Sequence, residues 1–372
     1  MAIRIYTSNR AMTTTIKQTK DLNLHSNKVC CIADLHIGVH QNSIFWHDTA
    51  LKWAEWLRNE LVKKKIKDIF ILGDLYHYRD EIAVNTIHVV NQILKLWSDF
   101  NIVILVGNHD AFYKDRSDIN SLSILDGWKN ILVISEPTTY TCLGKTVSFL
   151  PWGAKPNEIQ DSDIVFGHLE IESFKMNSHK ACDHGMKSSD LLSKGKLIMT
   201  GHFHLRDERK YDDRTIVYVG NPFEMDFGDA GSTKGYYILD LNDLNYTFYE
   251  NRNSPKHRKL SLTDLTTFKS LSATEVKDTV SNNIIKIVID KKITSDNIDL
   301  LIQKIATFKP FNLSVDYSLY TDSITVNEEQ SYDLSGVDMG KAIEEFVTLL
   351  DIDKKNEVSK YCIDLYKRAC ST

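Results

Sequence analysis

The sequence predicts a layered α/β fold, and three observations carry that prediction. Short apolar runs recur as "KVCCIADLH" from residue 28, "DIFILGDLYH" from 68 and "NIVILVGNHD" from 101, each ending in polar residues. Between them, "HDTALKWAEWLRNELVKKK" and "EIAVNTIHVVNQILKLWSDF" space their apolar residues at helical intervals, so the order reads strand, helix, strand, helix, strand. Further strand-like runs follow at "TVSFLPW", "DIVFGHLE", "KLIMTGHFH", "TIVYVGNPF" and "KGYYILDL", with histidines again gathered at strand ends.

At 372 residues the chain has room for two or three domains. Residues 1–27 carry Arg4, Arg10, Lys17 and Lys20 with no acid before Asp21, and read as a disordered extension whose composition overlaps that of organelle transit peptides. Residues 28–250 form the main domain. From "NRNSPKHRKL" onward the character changes, and residues 251–325 read as a small α/β unit. Residues 326–337 are polar and acidic, a linker. Residues 338–372 hold two amphipathic helices, the second with Val358, Tyr361, Cys362, Leu365 and Tyr366 on one face.

Six cysteines without a C-x-x-C pair point to reduced thiols in a reducing compartment. No apolar run approaches the ~18 residues of a membrane span, and no secretory h-region opens the chain. A cytoplasmic protein with no membrane partner is the expectation. A formal charge of −5 provides no global basic field, so a nucleic-acid partner would need a local patch or bound metal.

The polar residues at strand ends carry the chemistry. They are Asp34 and His36 in "ADLH", Asp74 in "GDLYH", Asn108 and His109 in "GNHD", His168 in "GHLE", and His202 and His204 in "GHFH". Loops at strand carboxyl ends converge on one crevice in a layered sheet. Residues i and i+2 of an extended segment aim the same way, which would pair Asp34 with His36 and His202 with His204. Gly73, Gly107, Gly167 and Gly201 directly precede these candidates and allow a sharp turn and close approach. A carboxylate, imidazole and amide set without thiolate suits manganese, iron or zinc in an open site rather than a closed structural zinc site. Two such ions about 3.5–4 Å apart favour phosphoester hydrolysis.

The order D-x-H, G-D, G-N-H-D, G-H, G-H-x-H resembles the calcineurin-like metallophosphoesterase superfamily. With "GDLYH", "VGNHDAFYK", "EPTTY", "LPW", "GMKS", "GHFH" and "YVGNPF" the chain is similar to the nuclease subunits of SbcCD-type DNA-repair complexes, and within them to the recombination endonuclease subunits of T-even-type phages. These motifs span residues 34 to about 222; the carboxy-terminal third resembles the family in layout alone.

The resemblance implies a β-sandwich core flanked by helices, a small α/β capping domain for DNA recognition, and a helical tail that grips an SbcC-like coiled-coil ATPase. It implies two divalent ions, manganese first, with magnesium, iron or zinc as alternatives. Asp34, His36, Asp74 and His204 would hold one ion, and Asp74, Asn108, His168 and His202 the other. His109 would contact the scissile phosphate or protonate the leaving oxygen, with Asp110 orienting it, and His77 would position DNA. The implied activity is exonucleolytic on duplex ends and endonucleolytic on single strands, by a homodimer in the cytoplasm, or in the host cytoplasm for a phage product. A metallophosphatase or small-molecule phosphodiesterase shares every ligand; a non-catalytic scaffold would be expected to lose some of them.

Three features depart from the family pattern: the 27 residues before the first strand, Asn221 where a small hydroxyl residue is usual, and the acidic overall balance. Phe112, Tyr113, Lys114 and Arg116 after "GNHD" are candidates for stacking on or attracting DNA. The basic run Lys256–Lys259 reads as solvated charge, and "HKACDHG", with His179, Cys182 and His184, as a surface insertion.

Overall fold

The computed structural model describes residues 20–176, 180–263, 273–291, 293–317 and 354–369, with residues 343, 344 and 347. The chain divides into two compact units, Met1–Ser318 and Leu319–Thr372.

In chain order the first unit opens with β1 (Lys20–Asp21), β2 (Lys28–Ile32), α1 (Ile44–Lys63), β3 (Asp68–Ile71), α2 (Val84–Leu96), β4 (Asn101–Leu105) and β5 (Ile131–Ile134). A second run follows with β6 (Thr138–Cys142), β7 (Lys145–Leu150), β8 (Ser162–His168), α3 (Ser188–Leu192), β9 (Gly195–Gly201), β10 (Asp207–Tyr211) and β11 (Arg214–Tyr218). The strands β12 (Gly235–Asp240) and β13 (Tyr246–Glu250) return to the first sheet. One sheet has the order β13-β12-β2-β3-β4-β5, parallel from β2 to β5; the other has the order β1-β6-β7-β8-β9-β11-β10.

Both faces of the central strands are covered, which explains why β2, β3 and β4 are apolar after their first residues, Lys28, Asp68 and Asn101. In β2, Val29 and Cys31 turn into the space between the sheets, where Phe70, Val103, Phe149, Phe166 and Met199 meet them. Cys30 and Ile32 turn the other way, onto α1 and α2. Helix α1 buries Trp46, Ala50, Trp53, Ala54, Leu57 and Leu61, a stripe at helical spacing, and the chain leaves it through Lys65 at a left-handed φ of 58°. The outer face of the second sheet, with Val165, Ile198 and Ile216, packs on Leu191 and Phe174. The result is a sandwich of two sheets with an outer cover on each side.

Order begins earlier than the sequence suggests. β1 pairs with β6, Leu22 and Leu24 pack against the sandwich core, and the His25 N–H donates to the Asp68 carboxylate at 3.1 Å. Two leucines with an apolar edge to cover are enough to order residues 20–27, inside the segment expected to be disordered. Residues 1–19, the linker 326–337 and most of the first tail helix lie outside the described residues.

The small lobe contains β14 (His257–Ser261), α4 (Ala273–Val280), β15 (Ile284–Val288), α5 (Ser295–Ala306) and β16 (Asn312–Asp316). Its strands form a parallel sheet around Leu260, Val280, Ile285, Ile287, Ile298 and Ile305. The basic run Lys256–Lys259 is therefore not uniformly solvated: strand alternation turns His257 inward, parallel to the Trp46 ring at 5.8 Å, and its N–H donates to Glu224 Oε2 at 2.6 Å. In the second unit α6 (Lys355–Ala369) leaves Tyr361, Leu365 and Tyr366 exposed. No helix among the described residues is long and apolar enough to cross a membrane.

Candidate metal centre

All seven residues expected to hold metal meet at the carboxyl edge of the sandwich. Asp34, His36, Asp74 and Asn108 come from loops after β2, β3 and β4, and His168, His202 and His204 from the ends of β8 and β9. The route differs from the extended i, i+2 geometry inferred from spacing. Asp34, His36, Asp74 and His202 all have positive φ, at 55°, 45°, 55° and 95°. Each such non-glycine residue costs on the order of 1–3 kcal/mol, so the surrounding structure must hold it. It does so by hydrogen bonds: Asp34 N–H to the Gly73 carbonyl at 3.1 Å, His36 N–H to the Asp74 carbonyl at 3.0 Å, and His202 N–H to Asp34 Oδ1 at 3.0 Å. Gly107 is required for a different reason. A Cβ there would run into the Asp74 carboxylate.

The donor atoms fall into two groups around Asp74. On one side, His36 Nε2 lies 3.5 Å from Asp74 Oδ2 and 3.0 Å from His204 Nε2. On the other, His168 Nε2 lies 3.3 Å from the same Oδ2, and Asn108 Oδ1 is 2.9 Å from both His168 Nε2 and His202 Nδ1. Asp34 reaches both groups, one with His36 and His204 and one with Asp74 and His168, all ligand atoms within 4.8 Å.

The donor set fits divalent cations. His168 donates Nδ1–H to the Leu72 carbonyl at 2.8 Å, so Nε2 is the atom that faces Asn108 Oδ1 and Asp74 Oδ2, and in the neutral ring that nitrogen is bare. Lone pairs then face lone pairs in a buried space, an arrangement that a cation relieves. Without one, protons must serve. Burial raises Asp34 to about 7, with the Asp74 charge adding to the rise. Burial also opposes charge on Asp74, but His168 and His36 hold it well below the usual carboxylate range. Burial disfavours the His168 cation as well; Asp74 and Asp34 outweigh this and lift it to about 9. His36, His202 and His204 are pushed down chiefly by burial, leaving neutral rings with lone pairs to offer.

His109 sits beside these groups. Its backbone N–H donates to Asp74 Oδ1 at 2.8 Å, its Nδ1 meets the His77 carbonyl at 2.5 Å, and its ring stands edge-on to His36 at 4.6 Å. The His77 ring stacks against it at 5.2 Å, and His77 Nδ1 lies 3.3 Å from His36 Nδ1. Burial, with His109 adding to it, lowers His77 to about 4. Asp110 does not take the place expected for it beside the His109 ring. Its carboxylate accepts the N–H groups of Leu75, Tyr76 and Gly107 at 3.3, 3.0 and 3.0 Å, tying the β3 and β4 loops together.

Spacing does not single out the layer beneath His204. Lys234, 1% exposed, donates to Asp229 Oδ1 at 2.6 Å and to the His204 carbonyl at 2.8 Å. Asp229 Oδ2 accepts from Asn221 Nδ2 at 2.8 Å and lies 3.9 Å from His204 Nδ1. Asn221, the departure from the family pattern, thus serves this buried acid. Phe112, Tyr113, Lys114 and Arg116 are surface residues, with Arg116 over the Tyr113 ring at 4.0 Å. A groove of about 650 Å³ borders the centre, lined by Lys114, Trp152, Lys155, His168, Glu170 and Lys194 among others.

Known proteins share parts of this chain. It is 26% identical to exonuclease subunit 1 of Enterobacteria phage T4 over 70% of its own length and 79% of that protein. It is 24% identical to the D component of the SbcCD nuclease of Staphylococcus epidermidis over 59% of this chain and 68% of that one. A solved archaeal phosphodiesterase is similar over 60% of this chain and 99% of its own, at 13% identity and a TM-score of 0.36. The family model of the calcineurin-like phosphoesterases matches residues 27–252, well over half of the chain and every residue of the centre. The chain therefore belongs to the calcineurin-like phosphoesterases, hydrolases that work with divalent metal ions.

Proposed function

We propose that this protein is the nuclease subunit of an SbcCD-type complex, hydrolysing DNA phosphodiester bonds with two metal ions, manganese first among them. The observation that carries the reading is the position of His109, set beside the candidate ligands and fixed to Asp74 through its backbone and to His77 through its ring. Asp34, His36, Asp74 and His204 would hold one ion, and Asp74, Asn108, His168 and His202 the other, with Asp74 shared. When bound, two such ions supply an activated water and neutralise the oxygens of the phosphoryl group.

The chain's own residues do the rest. The His77 carbonyl takes the His109 Nδ1–H, so Nε2 is the atom left to contact the scissile phosphate or to hand a proton to the leaving oxygen. His77, stacked on it, restricts the ring and lines the approach for the strand. The groove beside His168 offers Lys114, Lys155 and the Trp152 ring, residue types that attract phosphates and stack on bases. The names of the two curated relatives support DNA over a small phosphoester. Exonuclease action on duplex ends, endonuclease action on single strands, a role in recombination and repair, the residue 251–325 lobe as a DNA-recognition cap, and pairing of two copies belong to the same proposal.

The exposed apolar side of α6 supports a tail that docks on an SbcC-like ATPase. Incubation with end-labelled duplex and single-stranded DNA in manganese, with and without chelator, tests the activity: chelator-sensitive shortening is expected, and hydrolysis of an aryl phosphate with intact DNA would overturn it. Deleting residues 338–372 should leave cleavage intact and abolish co-purification with the ATPase; co-purification of the shortened chain would contradict the tail's role.

A further inference from the structure

We propose a third metal site, separate from the two-ion centre and of a different chemical kind, formed by Glu170, Cys182 and His184. Their ligand atoms lie within 4.8 Å of one another, close to the roughly 4.6 Å that two atoms can span across one ion at 2.0–2.3 Å from each. Glu170 Oε1 is 2.9 Å from His184 Nε2. His184 Nδ1 lies 2.7 Å from the Asp183 carboxylate, the partner a coordinating imidazole needs on its far nitrogen to fix the ring and raise its basicity.

The insertion that bears these residues is not loose surface. Cys182 is 2% exposed, and the two segments are laced together by Cys182 N–H to Phe174 O, Ser173 N–H to Cys182 O, Met186 N–H to Glu170 O and Glu172 N–H to Met186 O, all at 2.7–2.9 Å. Gly185, at φ +95°, lets the chain pass so close that a Cβ would collide with the Glu170 carbonyl. Cys182 and His184 stand two residues apart and converge on the glutamate that faces them. Side chains on backbone pinned in this way are held in place before a ligand arrives.

The donor set identifies the ion. The Cys182 thiol donates to the His184 carbonyl at 3.1 Å; an ion that displaces this proton to solvent gains one thiolate, one carboxylate and one neutral imidazole, a set of charge −2 with an open position that suits zinc or cobalt. The two-ion centre has no sulfur. The two places on this molecule therefore select metals by softness. Glu170 Oε1 also lies 3.7 Å from His202 Nε2, the ring nitrogen turned away from Asn108, so the two places are neighbours.

Thiolate ligation has a signature that the sulfur-free centre cannot give. Chelator-stripped full-length protein titrated with cobalt(II) to saturation should develop the near-ultraviolet thiolate-to-cobalt charge-transfer band with the intensity of one thiolate-bound cobalt per chain. Cys182→Ser should abolish it. His184→Ala, at an exposed position that leaves folding undisturbed, should weaken cobalt binding in that band at least tenfold. Asp74→Ala should leave the band unchanged. Absence of the band at saturating cobalt, or its persistence in Cys182→Ser, would overturn the site.

Discussion

Along β3 and the loop that follows it, one stretch of backbone serves two opposite purposes. Phe70 and Leu72 are apolar and packed between the sheets, while Asp74, two residues on, is charged, buried and left-handed. In the sandwich interior, stability comes from area removed from water, which is non-directional and tolerates exchange of one apolar side chain for another of similar volume. At the carboxyl edge every group is polar and directional, and removing one partner strands another. The interior can therefore be altered one apolar side chain at a time, whereas a change at the edge alters what the protein does.

The largest test of that division is Asp74→Ala. It should empty the centre of metal by elemental analysis and reduce DNA hydrolysis to background while near-ultraviolet circular dichroism keeps its folded form; metal-dependent cleavage surviving in this variant would show that the edge does not hold the chemistry. His109→Ala should retain metal and DNA binding while turnover falls about 10²–10⁴-fold, read by single-turnover cleavage. Lys234→Met lies on the border between the two regions. It leaves Asp229 buried without its cation and should cost about 3–5 kcal/mol in denaturant unfolding; a neutral result would place Lys234 with the interchangeable interior. Ile104→Val, on the helix-facing side of β4, should cost only about 0.5–1.5 kcal/mol and leave metal content unchanged.

What can be read in the sequence follows the same line. Strands β2, β3 and β4 are legible because burial on both faces makes them continuous apolar runs, and the centre is legible because aspartate, asparagine and histidine have few other reasons to follow such runs. The left-handed backbone at Asp34, His36, Asp74 and His202 is not legible, since neither aspartate nor histidine dictates it and hydrogen bonds from distant loops impose it. Lys234 and Asp229 are hidden for another reason: "FGDAGSTKG" has the composition of a solvated loop, and only the fold over it reveals a buried ion pair. The single hint is that Lys234 directly precedes an apolar strand. Glu170 is equally silent, because its role depends on the backbone hydrogen bonds that set it against Cys182 and His184. Residues 20–27 show the reverse error, where leucines in a polar tail are outweighed by its composition.

Four of the seven donors hang from one sheet and three from the other, so ions seated among them would act as a rivet through the seam of the sandwich. Drawing those ions out would then do more than stop the chemistry. It would soften the joint on which both halves of the sandwich meet, and the melting temperature would track free metal concentration by mass action.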